Sequence, residues 1–284
     1  MGVLDVALAE LPTTAGAVFA ANRASGRIAF HAAFVDGKTR RNRVYEDGSL
    51  RLRVPNTTNG TLEAVIVNTA GGMAGGDRFS LEIVAGDGAD VVAGTAAAEK
   101  VYRAIGADTG VTARLAVGRG AKLAWLPQEM ILFDQARLNR RIDIELAADA
   151  SLLLCEAVVF GRAAMGETVE QGALIDRWRL RRDGKLVFAE NVRLDGAITD
   201  TLSQPASAKG AAALATILVA PGDESTCAAV RECEPGFAGE VGVSAWNGIA
   251  VVRFCAPEGA ALRRDLIAVL AALKRVELPR LWLS

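Results

Sequence analysis

The chain has 284 residues, with 32 Lys+Arg against 33 Asp+Glu and a formal net charge of −1. That balance excludes a nucleic-acid binder working by bulk positive charge, and 51% hydrophobic against 23% charged residues excludes a disordered chain. Aromatics make up only 5%, so the core must be built from Ala, Val, Leu and Ile, and 29 glycines call for many tight turns.

Residues 1–25 are rich in Ala, Thr and Gly without a period, which predicts a flexible N-terminus. Asp5 and Glu10 and the lack of a basic start do not fit a secretory signal. Val6 stands where a myristoylation motif needs Ser or Thr. Residues 28–30, 49–54 and 62–67 read as strands. The basic run Lys38–Arg43 between them reads as a solvated loop or an edge strand, or otherwise as a partner contact.

The middle of the chain repeats weakly. Residues 81–92 are echoed by 113–123 and again by 143–152, each a strand, a Gly/Asp turn and a second strand. Aligning Ala89, Ala121 and Ser151 gives a period near thirty residues, which suggests stacked layers of strands, each burying a face on the next. Within the third unit, Leu152–Phe160 is apolar on both faces, so its Glu156 is expected to be buried and paired with a cation such as Lys100, Arg103 or Arg162.

The last third reads differently. Residues 222–234 predict a helix capped by Asp223 and stopped by Pro235-Gly236. Asn247-Gly248 predicts a hairpin between residues 241–245 and 249–255. Leu262, Leu266, Val269, Leu270 and Leu273 form one apolar stripe on a helix over 258–274, and residues 277–284 read as a short extended tail. The longest apolar runs, 152–160, 211–220 and 266–273, fall short of the ~18–20 residues that cross a bilayer, so no membrane association is expected.

The chemistry-bearing residues are few. A single histidine, His31, gives little to a Ser-His-Asp hydrolase and nothing to a multi-histidine zinc site. Cys155, Cys227, Cys233 and Cys255 include no C-x-x-C pair and read as reduced thiols of a cytoplasmic protein. The segment Gly71-Gly72-Met73-Ala74-Gly75-Gly76-Asp77 has no Lys-Ser/Thr ending and is not a phosphate loop. It reads either as a tight backbone crossing or as a loop that presents Asp77 in a cavity. Carboxylates dominate the rest, and they suit passage of a divalent ion better than its storage. A competing reading is a carboxylate-dependent hydrolase on a β-solenoid, using a pair such as Asp77 and Glu129.

Several motifs in order carry a resemblance. They are Gly71–Asp77, Thr95–Arg103, Trp125–Glu129 with Phe133-Asp134, Glu156 with Phe160-Gly161-Arg162 and Gly166-Glu167, and Pro279-Arg280-Leu281-Trp282. From residue 26 onward the chain resembles the UreD (UreH) family of urease accessory proteins. Where that family has His-Pro-Pro before the first glycine pair, this chain has Asn68-Thr69-Ala70. The resemblance implies a mainly β fold, a layered, helix-like stack of strands with a few α-helices, over 26–205 and an α+β part over 206–284. It implies no enzyme but a scaffold or chaperone for nickel insertion into apo-urease. UreF, UreG and the urease apoprotein subunits would be partners, and no cofactor would be tightly bound. Transient Ni²⁺ would pass an internal acidic channel. Asp77 and Glu190 are the candidate residues on that route, with Glu156 and Glu167 as weaker ones. UreF is expected at the C-terminal helix and tail with nearby strands. A pure assembly scaffold with no metal role is the third reading.

Overall fold

The structure, a computed structural model, describes residues 23–57, 60–162 and 165–283. It is built from turns of a strand coil. The first strand, β1 (Ser25–Val35), pairs with its hairpin partner β2 (Lys38–Gly48) on one side and with β5 (Arg78–Ala85) on the other. Three successive turns then follow, each entering on a long strand. They are β5, β6 (Asp90–Thr95) and β7 (Glu99–Val101); β8 (Thr109–Val117), β9 (Lys122–Trp125) and β10 (Met130–Leu132); and β11 (Arg137–Leu146) with β12 (Ser151–Phe160).

Stacking is parallel and in register. Arg78 lies beside Gly110 and Gly110 beside Asn139 on one side; Asp90 lies beside Lys122 and Lys122 beside Ser151 on the other. At the corner between these sides Lys122 donates its N–H to Ala89 (2.8 Å) and Ser151 donates to Ala121 (2.9 Å). The corner residues are Ala89, Ala121 and Ala150, all essentially unexposed. The sequence repeat is therefore real, but its third member is Ala150 and not Ser151. The third turn steps 29 residues, from Lys122 to Ser151, which the degenerate sequence did not resolve.

Two sheets result. Sheet A has the order β14-β13-β11-β8-β5-β1-β2, with β13 (Gln171–Arg182) and β14 (Lys185–Ala197) closing it. Sheet B has the path β16-β17-β15-β12-β9-β6-β4-β3, with β7 and β10 joined beside β12. Here β3 is Leu50–Arg53, β4 Leu62–Asn68, β15 Ala213–Ala220, β16 Glu240–Trp246 and β17 Ile249–Ala256. The basic run Lys38–Arg43 lies in an edge strand, one of the readings its sequence offered. The inward residues of both sheets, such as Ile83, Leu115, Ile144, Leu123 and Leu154, form one core.

A second core lies on the other side of sheet B. Its outward residues Leu153, Cys155, Ile217, Val219, Val252 and Phe254 pack under α2 (Glu224–Arg231) and α3 (Gly259–Leu273). This is why Leu152–Phe160 is apolar on both faces: β12 is sandwiched. Asp223 caps α2 by accepting from the Thr226 N–H (3.1 Å). Asn247 and Gly248 take left-handed φ values of 52° and 72°, as a two-residue hairpin turn requires. A short helix, α1 (Ile198–Ser203), precedes β15. Residue 205 lies between the two, and β15 joins sheet B beside β12.

Two sequence expectations need comment. The tail over 277–284 is not extended throughout: α4 (Arg280–Leu283) forms and Trp282 is buried, because its ring fills a site over sheet B and its Nε1 donates to the Leu126 carbonyl (2.9 Å). The flexible N-terminus lies outside the described residues up to 22, whereas Ala24 is already tied by its N–H to Asp77 (2.9 Å). Among the described residues no helix is long and apolar enough to cross a membrane.

Candidate functional site: the charged interior of the coil

Strand alternation puts two charges where the core should be. On β11 the inward positions are Leu138, Arg140, Ile142 and Ile144; on β13 they are Leu174, Asp176, Trp178 and Leu180. Arg140 and Asp176 are adjacent across the parallel ladder, and Arg140 bonds Asp176 through both arms of its fork (3.0 and 2.6 Å). Its remaining arm donates to Glu156, which reaches in from sheet B. Trp125 Nε1 donates to Glu156 (2.7 Å) and Trp178 Nε1 donates to Asp176 (2.9 Å). The network Trp125–Glu156–Arg140–Asp176–Trp178 thus spans the core from one sheet to the other. Sequence reasoning foresaw that Glu156 is buried and paired, but named the wrong cations. Arg140 is the partner because it lies on the preceding strand of the same turn, facing inward across the core. The period-2 apolar pattern around Arg140 and Asp176 is the signal that could have found both.

Electrostatics favours the charged form of Arg140 and strains that of Glu156. Burial works against the Arg140 charge, but two facing carboxylates outweigh it and raise its pKa. Burial raises the pKa of Glu156, against the pull of Arg140 and the Trp125 hydrogen bond. Beside this network lies an interior cavity of about 50 Å³, more than the ~10–15 Å³ one water molecule needs. Glu156, Arg140, Met73, Thr95, Glu99 and Gln128 line it. Burial also raises the pKa of Glu99, opposed by a hydrogen bond from Asn68 Nδ2 (3.1 Å). Gln128 Oε1 accepts from Arg263 (2.8 Å), while its buried Nε2 has no partner among the described residues.

The four residues singled out from sequence fall in four different settings. Asp77 is buried and accepts from Ala74 N (2.7 Å) and Ala24 N (2.9 Å). Its glycine-rich segment is a backbone crossing. Gly72 has φ 148°, and a Cβ there would lie 2.4 Å from the Tyr102 ring. Glu190 sits on β14, half-buried, and receives Arg253 (2.6 Å). Glu167 receives Arg162 in two contacts (2.8 and 2.9 Å), which hold its carboxyl below the usual range, and the Arg162 guanidinium lies 4.2 Å from the centre of the Phe133 ring. Only Glu156 lines the interior cavity, where Glu99, missed as a site residue, accompanies it.

Asp77 and Glu129, the pair a hydrolase would use, are not brought together. Asp77 is taken by backbone N–H groups, and Glu129 pairs with Arg263 (2.9 Å) on α3. Arg263 also donates to the carbonyls of Leu281 (2.8 Å) and Trp282 (3.1 Å), so Glu129 belongs to the joint that fastens the tail. Among the described residues no group of three or more His, Cys, Asp or Glu is placed to hold a metal ion.

Residues 23–283 match the family model described as UreD urease accessory protein. Similar curated proteins include "Urease accessory protein UreD" of Rhodopseudomonas palustris strain BisB18, 58% identical over 98% of this chain and all of that protein. "Urease accessory protein UreD 3" of Bradyrhizobium sp. strain BTAi1 is 55% identical over 97% of this chain and 99% of its own length. "Urease accessory protein UreD" of Bradyrhizobium diazoefficiens is 56% identical over 97% and 99%. With the stacked-strand fold and a match spanning nearly every residue, the chain belongs to the UreD family of urease accessory proteins.

Proposed function

We propose that this chain is a non-enzymatic, cytoplasmic scaffold for urease maturation, working with UreF, UreG and the urease apoprotein, and that Ni²⁺ transits its interior. The observation that carries the reading is a cavity inside the coil lined by two carboxyls, Glu99 and Glu156, whose burial raises their pKa values. Burial makes each carboxyl harder to ionise, a cost that a passing divalent cation would offset, while oxygen ligands alone hold nickel-class ions weakly. That combination suits transfer. Asp77 contributes by shaping the crossing beside Met73 on the cavity wall, and Glu190 by its place on β14.

UreF contact at the C-terminal helix is supported by its solvent side. Ala260, Ala268 and Ala271 flank Arg264 there, small residues that allow another helix to approach closely. Truncation after Cys255 would remove Leu262, Leu266 and Leu270 from the second core, so Ala268→Glu is the cleaner test; UreF binding unchanged by it removes this contact from the reading.

The test of the whole is urease activity in cells carrying the urease operon without this gene. Wild type is expected to restore activity. Asp77→Ala/Glu190→Ala and Glu99→Ala are expected to bind UreF yet restore little. Full restoration by both variants leaves an assembly scaffold with no metal role.

A further inference from the structure

Sheet A has one face in the core, and among the described residues no helix or second sheet covers the other. The register arranges the bare face in rows that cross the stack from β1 to β13. One row reads Arg27, Ser80, Thr112, Arg141, Arg177. The next reads Ala29, Glu82, Arg114, Asp143, Arg179, and the next His31, Val84, Ala116, Glu145, Arg181. On the other side of the first row lie Ser25, Arg78, Gly110, Asn139 and Ile175. The rows hold arginines, no lysine and only three acids, on a chain whose net charge is −1.

The first row holds three arginines with hydroxyls between them, and Asp47 of β2 lies beside Arg27 at its edge. Arg27 lies over the Tyr45 ring (5.6 Å), Arg177 donates to Asn139 (2.8 Å), and Arg141 pairs with Asp143 (2.6 Å). Between Arg78, Arg141 and Arg177 the sheet forms a hollow of about 480 Å³ floored by Ser80, Gly110 and Thr112; the one acid in its wall, Asp108, is paired with Arg137 (2.7 Å). Gly110 keeps that floor open; a Cβ there would lie 2.9 Å from the Arg78 side chain. Planar guanidinium forks over a hydroxyl floor match carboxylates, which they bind through two parallel hydrogen bonds.

We propose that this face docks an acidic surface of a protein partner, whose carboxylates enter the row of Arg27, Arg141 and Arg177. Size supports a protein: seven strands about 4.8 Å apart make a flat face roughly 30 Å wide, and a standard interface takes ~800 Å² per partner. The neighbouring rows decide against a uniform polyanion. Glu82 and Asp143 stand in the row next to the first and Glu145 in the row after it, where they would repel a nucleic acid or an anionic membrane, whereas a protein can set lysines against them.

The reading as a urease-maturation scaffold serves only to choose the probe. Tagged full-length chain is used to capture apo-urease and the other accessory proteins, co-expressed with it, from low to high salt. Wild type, Arg141→Glu/Arg177→Glu and Arg141→Lys/Arg177→Lys are compared, with thermal melting as the fold control. Wild-type capture is expected to weaken with salt. The glutamate variant is expected to lose about tenfold or more at low salt with unchanged melting, and the lysine variant to fall between. Capture by the glutamate variant at the wild-type level overturns this surface alone. Capture of none of these proteins by wild type overturns both this surface and the maturation reading. Retention of wild type but not the glutamate variant on heparin, with protein capture unchanged, makes the row a polyanion site and overturns the proposal.

Discussion

The two sheets share a core yet treat their outer faces in opposite ways. Sheet B is apolar on both sides and is roofed by α2, α3 and the tail; sheet A is apolar inside and carries arginine, serine and threonine outside. Parallel sheets are usually covered on both faces because crossover helices lie on them. A coil needs no such helices, since its crossovers are the next strands, so sheet A is free to meet water or a partner. Covering therefore marks where stability resides, and bareness marks where substitution should cost little.

The interior should break first. Arg140→Ala leaves Glu156 and Asp176 buried without their cation, and a loss of about 3–5 kcal/mol is expected in urea unfolding. Replacing all three with apolar residues of similar volume should recover most of it; failure to recover would mean that the network does more than balance its own burial. Under the roof, Leu266→Ala opens a cavity in the second core and should cost about 2–5 kcal/mol.

A smaller effect tests the cavity. The folded-state pKa of Glu99 is raised, so folding retains its proton where the unfolded chain releases it, and stability falls as pH rises from 4.5 toward the folded value. Glu99→Gln should melt higher than wild type at pH 7, with the gap closing at pH 4.5. A gap that does not change with pH would show that Glu99 ionises as readily folded as unfolded. Smallest of all, Arg177→Gln on the bare face should alter stability by no more than about 0.5 kcal/mol. A larger loss would show that sheet A relies on its outer rows for folding.

Much of this architecture was legible in the chain. The thirty-residue echo announced the stack because each turn repeats one strand–corner–strand unit. The Asp223 cap, the Asn247-Gly248 hairpin and the stripe from Leu262 to Leu273 appeared where local chemistry placed them. Such features depend on residues within a few positions of one another. The candidate site was legible only in part. Burial of Glu156 followed from apolar neighbours on its own strand, but its partner did not, because Arg140 on sheet A is brought to it only when the two sheets close on one core. Asp77 stood out for its glycines, and only the fold shows both of its oxygens taken by backbone N–H groups, one of them from Ala24, fifty-three residues away. The sequence by itself determined the repeat, the strand faces and the family. The tertiary structure decided which carboxylates face the cavity, which are tied off at the surface, and which arginines line up in a row, since each depends on how strands from different parts of the chain are brought side by side.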